Sequence, residues 1–437
     1  MAAAVYTRSN YHKSRTGPYE NPWPPVISIF ESALAFLRLP FERATPLQHD
    51  LPHVKTVKTV KPDFAALDAG DRLCAMWLGH AGYLVQFPAE PGHRPIRIVF
   101  DPIFSDRAFP SAWVGPRRRL PAPCTIHELP DIDFVAVSHN HFDHCDLDAL
   151  KALSRKSPST TLFLVPLGVK ETLASVGIPS ERIHELDWWD SLAFPPGPAS
   201  ALAGRRCSYR FTCAPAQHNS GRGILDQNWT LWCSWAVHQI PEDEGAATVS
   251  VYHAGDTGYQ TAGGACPIFK EIGTKLGPFD LAMVPIWSGA SLTVLGKMGY
   301  RLTDDTHLVT LHATPEDAVR LAADVRARAA LAMHFGTFAG SEDEALEPAL
   351  RLARAQAAAA AVVVDEGDRE VEGPGAVTGS SSSTLESSPG SGSGSERTRV
   401  GIEVIDVGEC VTFEVGGVPV ALSASTSSSS INSAADL

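Results

Sequence analysis

The nine residues Ser138-His139-Asn140-His141-Phe142-Asp143-His144-Cys145-Asp146 follow directly on the apolar run FVAV (134–137). Three imidazoles and a carboxylate fall within six residues of them. A buried strand feeding such a loop constrains the chain sharply, because imidazole and carboxylate together are the usual ligands of zinc in hydrolytic sites. His139 and His141 stand two apart, so an extended backbone aims both at one ion. Asp143 and His144 fall on the following turn and face a second. Two ions call for about seven protein ligands and a bridging water, so three more ligands are expected downstream at strand ends. His218 follows YRFTCAPAQ, Asp256 follows VSVYHA inside HAGDTGY, and His334 ends ALAM. Gly255 and Gly258 allow a sharp turn around the Asp256 carboxylate.

The rest of the chain reads as strands interrupted by helices. CAMWLGHAGYLVQF, IRIVFDPIF, FVAVSHNH, TLFLVP, RCSYRFTCAPAQH, LWCSWAV, ATVSVYHAGD, FDLAMVPI and ALAMHFGTF have strand character. DLDALKALSR, PEDAVRLAADVRAR and EALEPALRLARAQAAAA have helical character, the second opened by Thr314 as N-cap and Pro315 at the first position. Helices between strands, with two runs of consecutive strands, predict an α/β fold of αββα type: two mixed sheets face to face with helices outside. A doubly wound sheet fits less well, since residues 205–255 hold strands with no helix between them. Five regions are expected. These are an N-terminal extension (1–72) with an amphipathic segment at 26–39, a catalytic domain (73–372), a low-complexity insertion (373–398), a strand region returning to the domain (399–422) and a Ser-rich tail (423–437).

Charge narrows the function. A net charge of −13 without a long basic run argues against nucleic acid, whose phosphates need a concentrated Lys/Arg surface; Arg117-Arg118-Arg119 reads as a solvated loop. Eight scattered cysteines without a CxxC pair read as reduced and intracellular. No apolar run reaches the roughly 20 residues of a membrane span. The first nineteen residues hold Arg8, Lys13 and Arg15 with no acid, the pattern of a mitochondrial presequence and also of a plain disordered terminus.

HxHxDH, a lone His, GDTGY and a lone His before GTF together resemble the metallo-β-lactamase fold superfamily. Within it, WLGHA (77–81), DPIFS (101–105), GPRR (115–118), PCTIHELPDID (123–133), VPLG (165–168), ELDWW (185–189), FKEIG (269–273), GPFDLA (277–282) and HFGTF (334–338) follow one subgroup in order. That subgroup is the N-acylphosphatidylethanolamine-hydrolysing phospholipase D family, and NPWPP (21–25) is similar to its approach to the core. The resemblance implies two Zn2+ per chain, one held by His139, His141 and His218, the other by Asp143, His144 and His334, with Asp256 bridging. It implies hydrolysis of an N-acylated phosphatidylethanolamine by a metal-bridging hydroxide that Asp143 orients, with His312 handling the phosphate. Leu311 stands where the family has Gln, and residues 286–303 depart from its pattern. A soluble lactone or phosphodiester is the alternative substrate. The expected partner is a phospholipid at a membrane surface, in the cytoplasm or mitochondrion, reached through segment 26–39 and the apolar loop 286–302. Homodimerisation is left open.

Overall fold

In the computed structural model, the described residues are 17–26, 41–43, 54–68, 70, most of 72–369, 401–413 and 415; the breaks after 72 are 111–112, 158–160, 197–201, 203, 224, 244, 288–297 and 303–307. Leu73, Ala75 and Trp77 enter one apolar cluster while Cys74, Met76 and Leu78 enter another, because successive side chains of a strand point to opposite faces. That strand, β1 (Leu73–Gly79), is buried on both sides, as are β2 (Gly82–Gln86), β3 (Arg97–Phe100) and β4 (Phe134–Ala136). β1 to β3 pair antiparallel, and β4, β5 (Leu162–Pro166) and β6 (Ile183–Leu186) continue the sheet in parallel.

A second sheet repeats this plan. β7 (Ser191–Phe194), β8 (Cys207–Ala214), β9 (Ser234–Pro241) and β10 (Val249–His253) form an antiparallel run. β11 (Phe279–Pro285), β12 (Ala327–Met333) and β13 (Ile402–Glu403) extend it in parallel. The chain then returns to the first sheet, where β14 (Cys410–Phe413) pairs with β1. Each sheet therefore has seven strands. Their inner faces share one core, in which the rings of Phe134 and Phe211 lie 4.8 Å apart. Hydrogen bonds also cross it, among them Tyr83 donating to the Ala332 carbonyl at 2.8 Å and the Trp235 indole donating to the Val137 carbonyl at 3.0 Å.

α1 (Leu147–Lys156) and α2 (Val169–Ser175) cover the outer face of the first sheet, burying Leu150, Leu153 and Leu173 against Val99, Val135 and Phe163. α3 (Ile268–Lys275), α4 (Pro315–Asp324) and α5 (Glu342–Arg369) cover the second. The αββα sandwich expected from the sequence is thus the fold adopted. α4 opens with the expected cap: Thr314 Oγ accepts from the Asp317 amide, and the Asp317 carboxylate accepts in return from Thr314 N–H.

Three local expectations are corrected. CAMWLGHAGYLVQF is not one strand but the β1–β2 hairpin, which turns where Gly79 (φ +100°) and His80 (φ 54°) take left-handed backbone. The helix expected over 315–328 stops at Asp324, and Arg326 in left-handed conformation redirects the chain into β12. β6 and β7 and the helices α2 and α3 were not anticipated; IHEL and SLAF are short and partly exposed, so no apolar run marks them. All but the first residue of the amphipathic segment 26–39, the insertion 373–398, the tail 423–437 and most of loop 286–302 lie outside the described residues.

Candidate metal centre

Parallel strands end together at one edge of the sandwich, and their carboxyl ends carry the candidate ligands. β4 runs into His139, His141, Asp143 and His144; β10 leads to Asp256 and β12 to His334; the chain leaving β8 brings His218. Every sequence-predicted ligand arrives at this one point. Their donor atoms form two groups, each with all its atoms within 4.8 Å of one another: His139, His141, His218 and Asp256, and then His80, Asp143, His144 and His334.

Hydrogen bonds decide which ring nitrogen each histidine presents. Asp101, buried at the end of β3, accepts from the Ser138 amide at 2.7 Å, the Ser138 hydroxyl at 2.6 Å and His144 Nδ1 at 2.8 Å. A carboxylate accepts only, so Ser138 spends its proton on Asp101. Its oxygen then accepts from His139 Nδ1–H at 2.9 Å. His218 Nδ1–H donates to the Leu311 carbonyl at 2.8 Å. His139, His144 and His218 therefore all turn a bare Nε2 inward. His139 Nε2 and His141 Nδ1 lie 2.8 Å apart, and His218 Nε2 is 3.4 Å from His141 Nδ1. Tetrahedral Zn–N bonds of about 2.05 Å place ligand atoms about 3.3 Å apart, so this donor set fits such an ion.

Asp256 lies between the groups. Its Oδ2 is 3.6 Å from His218 Nε2, 4.0 Å from His139 Nε2 and 3.1 Å from His144 Nε2, while its Oδ1 is 2.9 Å from His334 Nε2. Despite these distances, His144 Nε2, His334 Nε2 and Asp256 Oδ1 have no aligned hydrogen bond, although all are buried. They converge on a common point rather than on each other, as cation ligands do. Electrostatics agrees. Burial alone would raise Asp256 and Asp143, but neighbouring imidazoles, His144 foremost, hold both carboxyls well below their usual range. Burial keeps His139 and His218 neutral, whereas Asp256 and Asp143 pull His144 and His334 upward against it.

His80 was not singled out from the sequence, yet its Nε2 meets Asp143 Oδ2 at 2.8 Å. Its amide donates to Thr337 Oγ at 2.6 Å, and its carbonyl accepts from Trp77 Nε1 and the His334 amide. The hairpin turn thus ties two ligands of the second group together. Arg118 braces that turn, since a Cβ on Gly79 would come within 2.6 Å of its guanidinium. Three of the six described non-glycine residues in left-handed backbone, His80, Asp101 and His334, lie in this centre, where strain is held by surrounding structure. We expect His80→Ala to weaken metal binding in the second group about tenfold or more. Gln, whose Nε2–H reaches the same point, should retain it. Calorimetric Zn2+ titration of metal-free protein measures this, and equal affinities for the Ala and Gln variants would remove any role for the hydrogen bond.

His312, ahead of α4, lies 3.8 Å from Asp256 Oδ2 through Nδ1 and joins Asp256 and His334 as a third cluster. Its position depends on Gly258, where a Cβ would come within 2.3 Å of the Thr310 backbone. On the other side, Asn21 of the NPWPP segment donates to the His218 carbonyl at 2.7 Å. Burial lowers His312 to about 4, while an unfolded histidine titrates near 6.5. The unfolded chain therefore takes the proton first, and this residue costs stability as pH falls from about 6.5 toward 4. His312→Gln should flatten the acid limb of metal-free stability against pH by about 2 kcal/mol; denaturant titrations across that window read it, and an unchanged slope would contradict the shift.

The family described as a beta-lactamase superfamily domain matches residues 96–335. N-acyl-phosphatidylethanolamine-hydrolyzing phospholipase D 1 of Caenorhabditis elegans is 37% identical over 285 residues, covering 64% of this chain and 68% of that protein. The mitochondrial N-acyl-phosphatidylethanolamine-hydrolyzing phospholipase D of Saccharomyces cerevisiae is 32% identical over 279 residues, 63% of this chain and 50% of that one. Among solved structures, Igni18, a metallo hydrolase of Ignicoccus hospitalis, aligns at 16% identity with a TM-score of 0.42, covering 78% of this chain and 98% of that one. The chain belongs to the beta-lactamase superfamily, and its homologues include N-acyl-phosphatidylethanolamine-hydrolysing phospholipases D.

Proposed function

We propose that this chain is a dizinc phosphodiesterase of phospholipase D type, hydrolysing N-acyl-phosphatidylethanolamine to N-acylethanolamine and phosphatidic acid. The observation that carries it is the Asp256 carboxylate lying between two histidine-rich groups. His139, His141 and His218 would hold one Zn2+ and Asp143, His144 and His334 the other, with Asp256 shared. Zinc in such a pair supplies Lewis acidity for a phosphoryl oxygen and brings the pKa of water near 7.

The chain's own groups do the rest. Asp143 is the carboxylate nearest the mouth, its side chain 29% exposed. His80 occupies one of its oxygens, leaving the other to orient the attacking water and take its proton. His312, 19% exposed and 3.8 Å from Asp256 Oδ2, would meet the substrate phosphate. The water oxygen bonds to phosphorus, the bond from phosphorus to the ethanolamine oxygen breaks, and the leaving oxygen is protonated to give the N-acylethanolamine.

The two homologues named for this activity support the substrate class. Among the described residues no helix is long and apolar enough to cross a membrane, so the lipid would be met at a membrane surface; the yeast homologue is named as mitochondrial. The test is incubation of purified protein with N-acyl-phosphatidylethanolamine in micelles, with mass detection of products and zinc analysis of the same sample. N-acylethanolamine release at two zinc per chain is expected. Lactone hydrolysis with no lipid product would replace the substrate, and a zinc-free yet active protein would overturn the metal assignment.

A further inference from the structure

We infer that the mouth of the metal centre is ringed by an apolar rim that inserts into a phospholipid surface, a reading that rests on the proposed lipid substrate. Seven large hydrophobic side chains stand exposed among the described residues, and five belong to two loops: Phe109, Trp113 and Val114 on one, Leu225 and Trp229 on the other. Trp113 is 88% exposed and Leu225 94%. Exposed side chains of this size on loops beside a site mark a contact surface.

Both loops are built onto the site. Residues 107–110 and 113–117 are held together by the Ala108 amide on the Pro116 carbonyl and by Arg107 Nη1 on the Gly115 carbonyl at 2.7 Å. At their base, Ala108 and Pro116 line a cavity of about 90 Å3 that also meets His80, Asp143 and His334. The other loop is pinned to the metal-binding turn by Arg222, whose guanidinium donates to the Asn140 and Cys145 carbonyls, both at 3.0 Å. The two meet on Phe142, between His141 and Asp143. The Phe109 ring lies 5.6 Å from it, and the Arg222 guanidinium sits 4.0 Å above its face. Asp226 accepts the amides of Arg222 and Gly223 and so shapes the turn that presents Leu225.

Charge selects the occupant. In a chain of net charge −13, this loop presents Arg107 and Arg117 beside the single acid Asp106, while Arg118 is buried beneath the hairpin turn and Arg119 pairs with Glu342. Arg117 is exposed beside its partner Asp106, at 2.9 Å, in reach of lipid phosphate. Exposed tryptophan with arginine behind it suits the interface of a bilayer bearing anionic lipid, and insertion there needs no spanning helix. A lipid drawn up at this rim has its phosphodiester beside the ligands.

The test is co-sedimentation of the full chain with vesicles of phosphatidylcholine and phosphatidylglycerol that contain no N-acylated lipid, so docking is read apart from turnover. Wild type should bind, more weakly in high salt. The Trp113→Glu, Leu225→Glu double variant should bind at least about tenfold more weakly, and Trp113→Phe, Leu225→Met should bind like wild type. Thermal melting and zinc content confirm that each variant folds. Equal binding by the folded double Glu variant would overturn the inference, as would a wild type that ignores vesicles, or one that forms a dimer which the Glu variant splits. Micelle hydrolysis by a protein that fails to dock would sink the rim and leave the proposed activity standing.

Discussion

Asp256→Asn should leave the chain folded but with at most one zinc bound, and should lower turnover of the phosphodiester by at least about a thousandfold, some 4 kcal/mol in the barrier. The substitution keeps shape and removes the carboxylate that lies between the two groups. Asp256 Oδ2 is within 4.0 Å of histidines in both groups, and Oδ1 is 2.9 Å from His334 Nε2. An amide nitrogen at either position would point a proton at an imidazole that already lacks room for one. Asp256 is also the main anion keeping His144 and His334 above their usual titration range against burial. Elemental analysis and a product assay on the same preparation check both halves. Two tightly held zinc ions in a folded Asn variant would show that the carboxylate is not shared.

Asp101→Asn is expected to weaken both metal positions together, about 10- to 100-fold each. Its carboxylate takes a proton from His144 directly and from His139 through Ser138, and those histidines belong to different groups. Replacing an acceptor with a donor at Oδ2 leaves His144 or Ser138 facing another N–H in a fully buried site, a mismatch of about 1–3 kcal/mol in stability. Ser138→Ala makes the contrast, since it breaks only the His139 branch. Zinc titrations should show two weakened sites in the first variant and one in the second. A single weakened site in Asp101→Asn would mean that the chain of hydrogen bonds does not reach His139.

The seven candidate ligands were legible because each announces itself locally. Four crowd one loop after a buried strand, and the other three sit where an apolar run ends. Asp101 and His80 carry no such mark. Asp101 acts on Ser138 across 37 residues, and only the parallel pairing of β3 with β4 brings the two strand ends side by side. His80 lies in a hairpin whose Gly-His-Ala-Gly turn lacks the Asn-Gly or Asp-Gly that marks a tight connection; instead, Thr337, Arg118 and Trp77 hold the turn from outside. The two-sheet plan was readable from the uninterrupted strands over 205–255. The outer strands β6 and β7 were not, because half-exposed four-residue strands leave little pattern.

Attack of water at phosphorus in N-acyl-phosphatidylethanolamine is tested by hydrolysis in 18O-enriched water. One 18O atom should appear in the phosphatidic acid, with none in the N-acylethanolamine. Label in the N-acylethanolamine, or no release of that product by zinc-loaded protein, would contradict the account.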